Sequence, residues 1–443
     1  MAKPTKTKIN EFLNGPVRDF SISVIKDRAI PSVIDGFKPS QRKVVFAANK
    51  TAKTPIKTVV LVGKTLSDAG YEKGDGALPG IITGITQDFP GSNNVPFLEG
   101  TGEFGSRKLP KGAAAARYTK IKIHDNFKKY FKDQELYTYD ESEDEQYEPK
   151  YFLPVIPTLL LNPGTGIAVG FACKFLPYNE KDIVANIKRL LAGKKMKEMV
   201  PYFAGYTGKV HKVTIKEEEK WVIDGIINRT TSTEYEISEV PVGISREGYI
   251  EHLEKLVEKG IIQDYKEKAG DFNYSIQLRV EQAKVLKEYN EEKLLKTFKL
   301  RENLNENLNV ISEHNTLLQF DNVLDIIQYF FDFRMKLLTT RKEVKCDKLN
   351  DQIEVLISKL KFVNDVVNGK FSVSNLKNKK DLEERIENGK YSHPDALLTI
   401  PIYNLTVEYK DKLKVDLKSL SEVLKYYTEV TEKELYLTDL KNM

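Results

Sequence analysis

Cysteine, tryptophan, methionine and histidine are all scarce in this 443-residue chain, at two, one, five and five residues. Cys173 and Cys346 stand far apart in apolar or helical surroundings, which excludes a disulfide framework and leaves two buried or idle thiols. The histidines are scattered and no CxxC pattern occurs, so a zinc site is not expected. No apolar run approaches the ~18 residues of a membrane span. The opening MAKPTKTKIN lacks the apolar centre of a secretory signal, so the expectation is a soluble, cytoplasmic chain with no membrane partner. A large overall excess of one charge is missing too, the net charge being +5. Its distribution is uneven, however: residues 1–130 carry 22 Lys and Arg against 11 Asp and Glu, and the remainder 47 against 53. That asymmetry suits a polyanion-binding domain followed by a more neutral scaffold, while charge alone suits a solvated lysine-rich surface equally well.

Hydrophobic residues make up 40% of the chain, enough for folded cores. At roughly 150 residues per domain the length allows two to four domains. The patterning predicts an α+β multidomain protein. Residues 1–20 read as a short basic tail and lead-in helix, and Ile22–Asn49 as a helix, turn and basic helix in the order of a DNA-reading unit, in which Asp35-Gly36 is a turn and Pro39 opens the basic helix; residues 74–112, rich in Gly, Pro, Ser and Asn, read as loops and short strands. Residues 133–149, DQELYTYDESEDEQYEP, form an acidic exposed connector without the glycine turn or spacing of a calcium loop. Residues 150–320 mix strand-like runs (FLPVIPTLLLN, IAVGF, KWVIDGII, YSIQLRV) with short amphipathic helices. In 321–443, Cys346, Leu349, Ile353, Leu356, Leu360, Val363 and Val367 keep a heptad spacing that Leu413, Leu417, Leu420, Leu424 and Tyr427 repeat. Two antiparallel coiled-coil arms joined by a small tip at about 369–410 are the economical reading, against two amphipathic helices on an ordinary core.

Two phosphate-loop lookalikes fail on inspection. LVGKT has Thr58 where a phosphate-binding loop needs its first glycine, and GTGEFG at 100–105 is followed by SRKLPKG with no helix to hold a pyrophosphate. No Ser/His/Asp arrangement stands out. The remaining candidate is Tyr118, at the end of AAAARYTK. A phenol titrates near about 10 and needs neighbouring cations to act as a nucleophile at neutral pH. Arg117 is adjacent, and its planar fork suits phosphate oxygens. Most tyrosines, in a chain with 22 of them, are nevertheless packing or surface residues.

IPSVIDGFKPSQRKVVF, YEKGDGALPGIITGITQDFPGSNN, LEGTGEFGSR, AAAARYTKIKI and LLLNPGTGIAVGF follow one another in this order. Together they resemble the DNA breakage and rejoining core of type IIA topoisomerases, from about Ile22 to near the C-terminus. GFKPSQRK and GSNN are similar to the eukaryotic form, and the compact chain is similar to the split-subunit form of T-even phages, which would place it in a host cytoplasm. The resemblance implies a winged-helix (CAP-like) DNA-binding domain at 25–149, an α/β tower domain at 150–320, and a long antiparallel coiled coil with a small helical dimerisation tip. It implies that Tyr118 forms a transient 5′-phosphotyrosyl link, with Arg117 beside it and Arg28 reaching the cleaved phosphate. Lys38, Arg42 and Lys43 match DNA contacts, and Ile167 matches an apolar wedge between base pairs. YEKGD departs from the family's histidine motifs, giving Glu72 and Lys73, and Gln41, Arg42 and Lys43 stand where bacterial members have His-Arg-Arg. Lys73 is therefore expected to supply positive charge at the phosphate, with the general base left open. Mg²⁺ and ATP are expected on partner chains, the metal on a metal-binding (TOPRIM) subunit, the nucleotide on an ATPase subunit. Double-stranded DNA and a second copy in a C2 homodimer complete the expected partners. The chain ends at YLTDLKNM without the wrapping domain of bacterial relatives, so relaxation and decatenation are expected rather than supercoiling. A tyrosine recombinase or relaxase, and a DNA-binding scaffold that only dimerises, are the competing readings.

Overall fold

A computed structural model describes residues 8–139, 148–215, 217–231, 233–268, 274–280, 291–373, 379–389 and 391–443. Most of the acidic connector, residues 140–147, lies outside the described residues. The protein is a mixed α/β structure of two compact units, one up to Phe331 and one from Asp332 to Asn442.

In the first unit, helical backbone runs over residues 9–29 (α1). Pro16 has no amide to continue the α ladder, and the turn around it, Leu13–Val17, has π geometry. The chain reverses at Asp35-Gly36 into α2 (Pro39–Thr51), where a proline in the first turn leaves no amide unpaired. The Lys38 amide donates to Gln41 Oε1 at 3.0 Å and closes the helix start, so Gln41 acts here as a cap. A short strand β1 (Ile56–Lys57) leads into α3 (Thr58–Asp68), followed by α4 (Leu78–Thr86), β2 (Leu98–Thr101) and β3 (Lys120–Ile123). The strands make an antiparallel sheet in the order β1-β3-β2, and α2 packs on α3 and α4 through Val44, Val45, Ala48, Leu61 and Ile82. The Gly-Lys-Thr of LVGKT lies inside α3, with the Thr65 hydroxyl donating back to the Leu61 carbonyl at 2.8 Å. Its amides therefore belong to a helix and form no phosphate cradle.

The turn between α1 and α2 depends on one buried carboxylate. Asp35 accepts from Arg42 through both oxygens, at 2.7 and 3.0 Å, and also from the amides of Phe37 and Phe152 at 3.0 Å each. Its own carbonyl accepts the Thr158 hydroxyl at 2.8 Å. Gly36 follows with φ +71°, and a Cβ there would meet the Leu159 backbone at 2.7 Å. Helix α5 (Asp125–Tyr130) completes an aromatic core of Phe37, Phe97, Phe127, Phe131 and Phe152 over this turn.

The run 152–162, expected as a strand, is instead a buried irregular segment with a 3₁₀ turn at Thr158–Leu160. Pro154 and Pro157 lack the amides a central strand requires, and the apolar side chains reach the core without a ladder. The hairpin of β4 (Gly164–Ile167) and β5 (Ala172–Phe175) follows, then α6 (Glu180–Leu191). Two further sheets come next. In the first, β6 (Lys209–Ile215) and β7 (Glu218–Asp224) pair, with β12 (Arg301–Leu304) added to β7. In the second, β8 (Ile226–Arg229), β9 (Glu234–Glu239), β10 (Asp264–Glu267) and β11 (Ile276–Arg279) have the order β10-β11-β9-β8. Alternate residues of β9 and β11 face a core shared with α7 (Arg246–Glu258) and α8 (Glu291–Thr297), as a half-buried sheet dictates. The hairpin β13 (Leu308–Ile311) and β14 (Leu317–Phe320) ends this series.

Helix α9 (Val323–Val367) begins before the unit boundary and runs 45 residues. In the second unit it is followed by α10 (Lys379–Asn388), α11 (Pro394–Leu398), α12 (Val407–Glu429) and α13 (Glu432–Lys441). Lys342 reaches the Val430 carbonyl at 2.6 Å, while Val363 shares a core with Leu413, so α9 and α12 run antiparallel. Every residue of the two heptad series is buried or half-buried. Among the described residues no helix is long and apolar enough to cross a membrane.

Arg42→Ala leaves the Asp35 carboxylate buried without its counter-ion and should cost about 3–5 kcal/mol. Lys64→Ala, which loses an exposed i,i+4 pair with Asp68, should cost under about 1 kcal/mol. Urea unfolding of both variants checks this; equal losses would contradict the role given to Asp35.

Candidate active site

Helix α3 starts without a side-chain cap. Its first two amides, Thr58 and Val59, donate instead to the carbonyls of Thr119 at 3.0 Å and Ala116 at 3.1 Å. The Thr58 and Thr119 hydroxyls add a buried bond of 2.8 Å. Unpaired amides at a helix start require such acceptors, so the loop between β2 and β3 is seated on the helix end. A tight turn from the Tyr118 amide to the Ala115 carbonyl, 2.8 Å, completes the seat. The backbone on both sides of Tyr118 is thus pinned, yet its side chain is 71% exposed. The Arg117 guanidinium lies 4.8 Å from the centre of the Tyr118 ring, within cation–π range. The alanines before it add no bulk that would keep a large ligand away.

A second group of cations gathers at the end of α1. Arg28 is exposed on its last turn, and the Lys73 ammonium donates to the carbonyl of Asp27. Partial burial holds the Lys73 amine below the usual lysine value, an effect the Asp27 carboxylate opposes and Arg28 and Lys43 reinforce. Lys73 lines a cleft of about 850 Å³ with Lys26, Lys43, Lys150 and His314. Lys43 donates to the Ala69 carbonyl at 2.6 Å and to Glu148 at 2.9 Å. Glu148 closes the acidic connector that the sequence suggests is merely solvated, and that proximity to Lys43 has no signal in the chain order. Glu72, beside Lys73, is exposed on the same cleft.

The hairpin β4–β5 stands against this helix end. A Cβ on Gly166 would come within 2.0 Å of the Ala29 carbonyl, so only glycine permits the approach. Ile167, paired with Ala172 at the hairpin end, is 88% exposed, and Val169 and Phe171 are exposed beside it. Lys38 donates to the Thr165 carbonyl at 2.7 Å and so ties α2 to the hairpin; burial lowers its pKa.

Arg28, Lys43, Lys73, Lys38 and the Ile167 hairpin therefore form one neighbourhood. Among the described residues no hydrogen bond or ion pair joins Tyr118 or Arg117 to it. Arg42 departs from the expected phosphate contact: it is buried, 7% exposed, and both arms of its fork are taken by Asp35. It positions the turn instead. No sequence signal marks the pair, because Asp35 reads only as half of an Asp-Gly turn. Among the described residues no group of three or more His, Cys, Asp or Glu side chains converges as a metal site requires.

Comparison with known proteins identifies the family of the chain. The chain is 29% identical to the DNA topoisomerase medium subunit of Enterobacteria phage T4 over 432 residues, covering 96% of each. It is 30% identical to DNA topoisomerase 2 of Plasmodium falciparum over 464 residues, covering 94% of this chain and 33% of that one. The chain thus spans about a quarter to a third of the length of the DNA topoisomerase 2 relatives it matches. The crystal structure of the Plasmodium falciparum topoisomerase II DNA-binding, cleavage and re-ligation domain superimposes with a TM-score of 0.88 at 30% identity, over 97% of this chain and 63% of that one. Residues 28–442 match the DNA gyrase/topoisomerase IV family model, and the chain belongs to that family of type II topoisomerase breakage and rejoining proteins.

Proposed function

We propose that this chain is the DNA-cleaving subunit of an ATP-dependent type IIA topoisomerase, with Tyr118 as its nucleophile. The observation that carries the reading is an exposed phenol on a backbone pinned to a helix end, with an arginine guanidinium 4.8 Å from its ring centre, in a chain of this family. The Tyr118 oxygen bonds to a DNA phosphorus while the bond from phosphorus to the 3′ oxygen breaks. The phenolic proton is given up and the 3′ oxygen leaves as a hydroxyl. One phosphodiester replaces another, so the reverse attack by that hydroxyl reseals the strand without fuel. Arg117 neutralises charge that builds on the phosphate oxygens. Arg28, Lys43 and Lys73 hold the duplex backbone along the cleft, and Arg42 and Lys38 act by fixing α2 and the hairpin. Ile167 enters between base pairs and bends the duplex, a use its exposure at a rigid hairpin end supports.

In this reading α2, α3 and the β1-β3-β2 sheet are the winged-helix domain within 25–149, after an arm at 1–24. Residues 150–320 are the tower, and 321–443 the coiled coil whose tip, about 369–410, exposes Ile402 and Tyr403 to a second copy. Two copies supply two tyrosines for two strands. The reading assigns Mg²⁺ to a TOPRIM partner and ATP to an ATPase partner. Relaxation and decatenation are the outcomes.

Three variants test the scheme in the assembled complex with DNA and Mg²⁺. After denaturation, protein should be attached to the 5′ ends of double-strand breaks, and Tyr118→Phe should reduce this by at least about 10³-fold. Attachment that survives in Tyr118→Phe would overturn the assignment. Lys73→Ala should slow cleavage by about 10²-fold; wild-type kinetics would remove Lys73 from the phosphate site. Ile167→Ala should change folding stability by no more than about 0.5 kcal/mol but reduce the bend of a bound duplex, read by energy transfer between its ends. An unchanged bend would end the wedge role.

A further inference from the structure

Between β2 and β3 the backbone travels from Thr101 to Lys120, and before Thr119 only two side chains of this loop, Phe104 and Arg107, are buried. Arg107 is buried against the Pro90 turn and against much later parts of the chain. Its Nη1 donates to the Pro90 carbonyl at 2.8 Å, and its Nη2 donates to the Val240 carbonyl at 2.7 Å and Glu239 Oε1 at 3.2 Å. The guanidinium also lies within cation–π range of two rings, 5.9 Å from the centre of Tyr206 and 5.8 Å from that of Tyr274. Glu239 is itself held, accepting from the Thr207 hydroxyl at 2.9 Å. Next to it, Lys108 pairs with Glu267 at 3.0 Å. Glu239 ends β9 and Glu267 ends β10, so two consecutive basic residues clamp the loop to the four-stranded sheet.

From this clamp to the phenol the loop is closely tied. The Ser106 and Leu109 amides and carbonyls exchange bonds of 3.1 Å, and the Gly112 amide donates to the Leu109 carbonyl at 3.0 Å. Gln87 Nε2 donates to the carbonyls of Phe104 and Pro110 at 2.8 and 2.7 Å, and the Ala114 amide donates to the Glu103 carbonyl at 3.0 Å. The last ties are the Ala116 and Thr119 carbonyls on α3. The loop is rich in Gly and Ala and has little apolar surface of its own with which to fix a position.

We infer that Arg107 is a positioning residue for Tyr118, clamping the loop to the sheet so that the phenol meets the scissile phosphorus at attacking distance. The inference rests on the assignment of Tyr118 as nucleophile. Arg107 touches no substrate, so its removal should leave DNA affinity alone and lower only the rate of the covalent step, since small misplacements of a reacting group are costly.

The test uses the assembled complex and a defined duplex, comparing single-turnover covalent attachment with DNA affinity for Arg107→Gln, Arg107→Lys and Glu239→Gln. Arg107→Gln should cut the attachment rate at least tenfold with affinity within twofold of wild type. Arg107→Lys, which keeps one cation near the rings, should recover part of the rate. Glu239→Gln keeps the shape of the side chain and loses its charge, and should slow attachment about threefold. This isosteric variant decides the matter if Arg107→Gln does not fold: a wild-type rate in Glu239→Gln would then overturn the inference. A wild-type rate in Arg107→Gln, or a loss of affinity that parallels the loss of rate, would overturn it as well. Wild-type complex run alongside separates the two levels, because absent attachment there contradicts the nucleophile assignment, whereas normal attachment with an indifferent Arg107 contradicts only the clamp.

Discussion

Two carbonyl groups hold the backbone of Tyr118 where it is. A loop with no apolar anchor near its end would ordinarily sample many positions, but Ala116 and Thr119 complete the hydrogen bonding of a helix start that has no other cap. Satisfying the helix and fixing the loop are therefore the same event. The phenol between those carbonyls is left exposed, and its rigidity comes from the backbone rather than from packing around the ring. That is the arrangement a nucleophile for a bulky polymer requires: accessible from outside, yet preorganised.

Elsewhere in the first unit a second set of cations is organised at the end of α1. Asp35 binds Arg42 and two amides, and so fixes the turn from which α1 and α2 depart. Gly166 lets the β4–β5 hairpin lie against the carbonyl of Ala29, and Lys38 ties the same hairpin to α2. The end of α1 with Arg28, the amine of Lys73 and the exposed tip at Ile167 are then parts of one rigid neighbourhood. Exposed basic groups and buried ones have opposite roles here. The exposed ones keep their charge open to solvent, and the buried ones, Arg42 and Arg107, are used up in holding the scaffold.

That division marks what could be read in the sequence. The pairing of Tyr118 with Arg117 and the order of helix, turn and helix were legible because each is local: neighbouring residues, a turn dipeptide, a proline at a helix start. The heptad positions from Cys346 to Val367 were legible because helical periodicity fixes which face is buried, whatever covers it. The buried arginines were not, because an arginine in a basic motif looks the same whether it faces solvent or a carboxylate. The Arg107 contacts come from residues 239 and 240, a pairing that only the folded chain creates. The run 152–162 reads as a strand because apolar composition shows burial and not backbone pairing, and its prolines carry the missing information.

The central claim is that one oxygen, that of Tyr118, becomes bonded to DNA. Trapping the cleaved complex, digesting both protein and DNA, and locating the residual nucleotide by mass spectrometry tests it without recourse to a variant. The account predicts a 5′-phosphate ester on Tyr118 in the peptide containing Arg117. A nucleotide on any other residue, or a 3′-phosphate linkage, would contradict it.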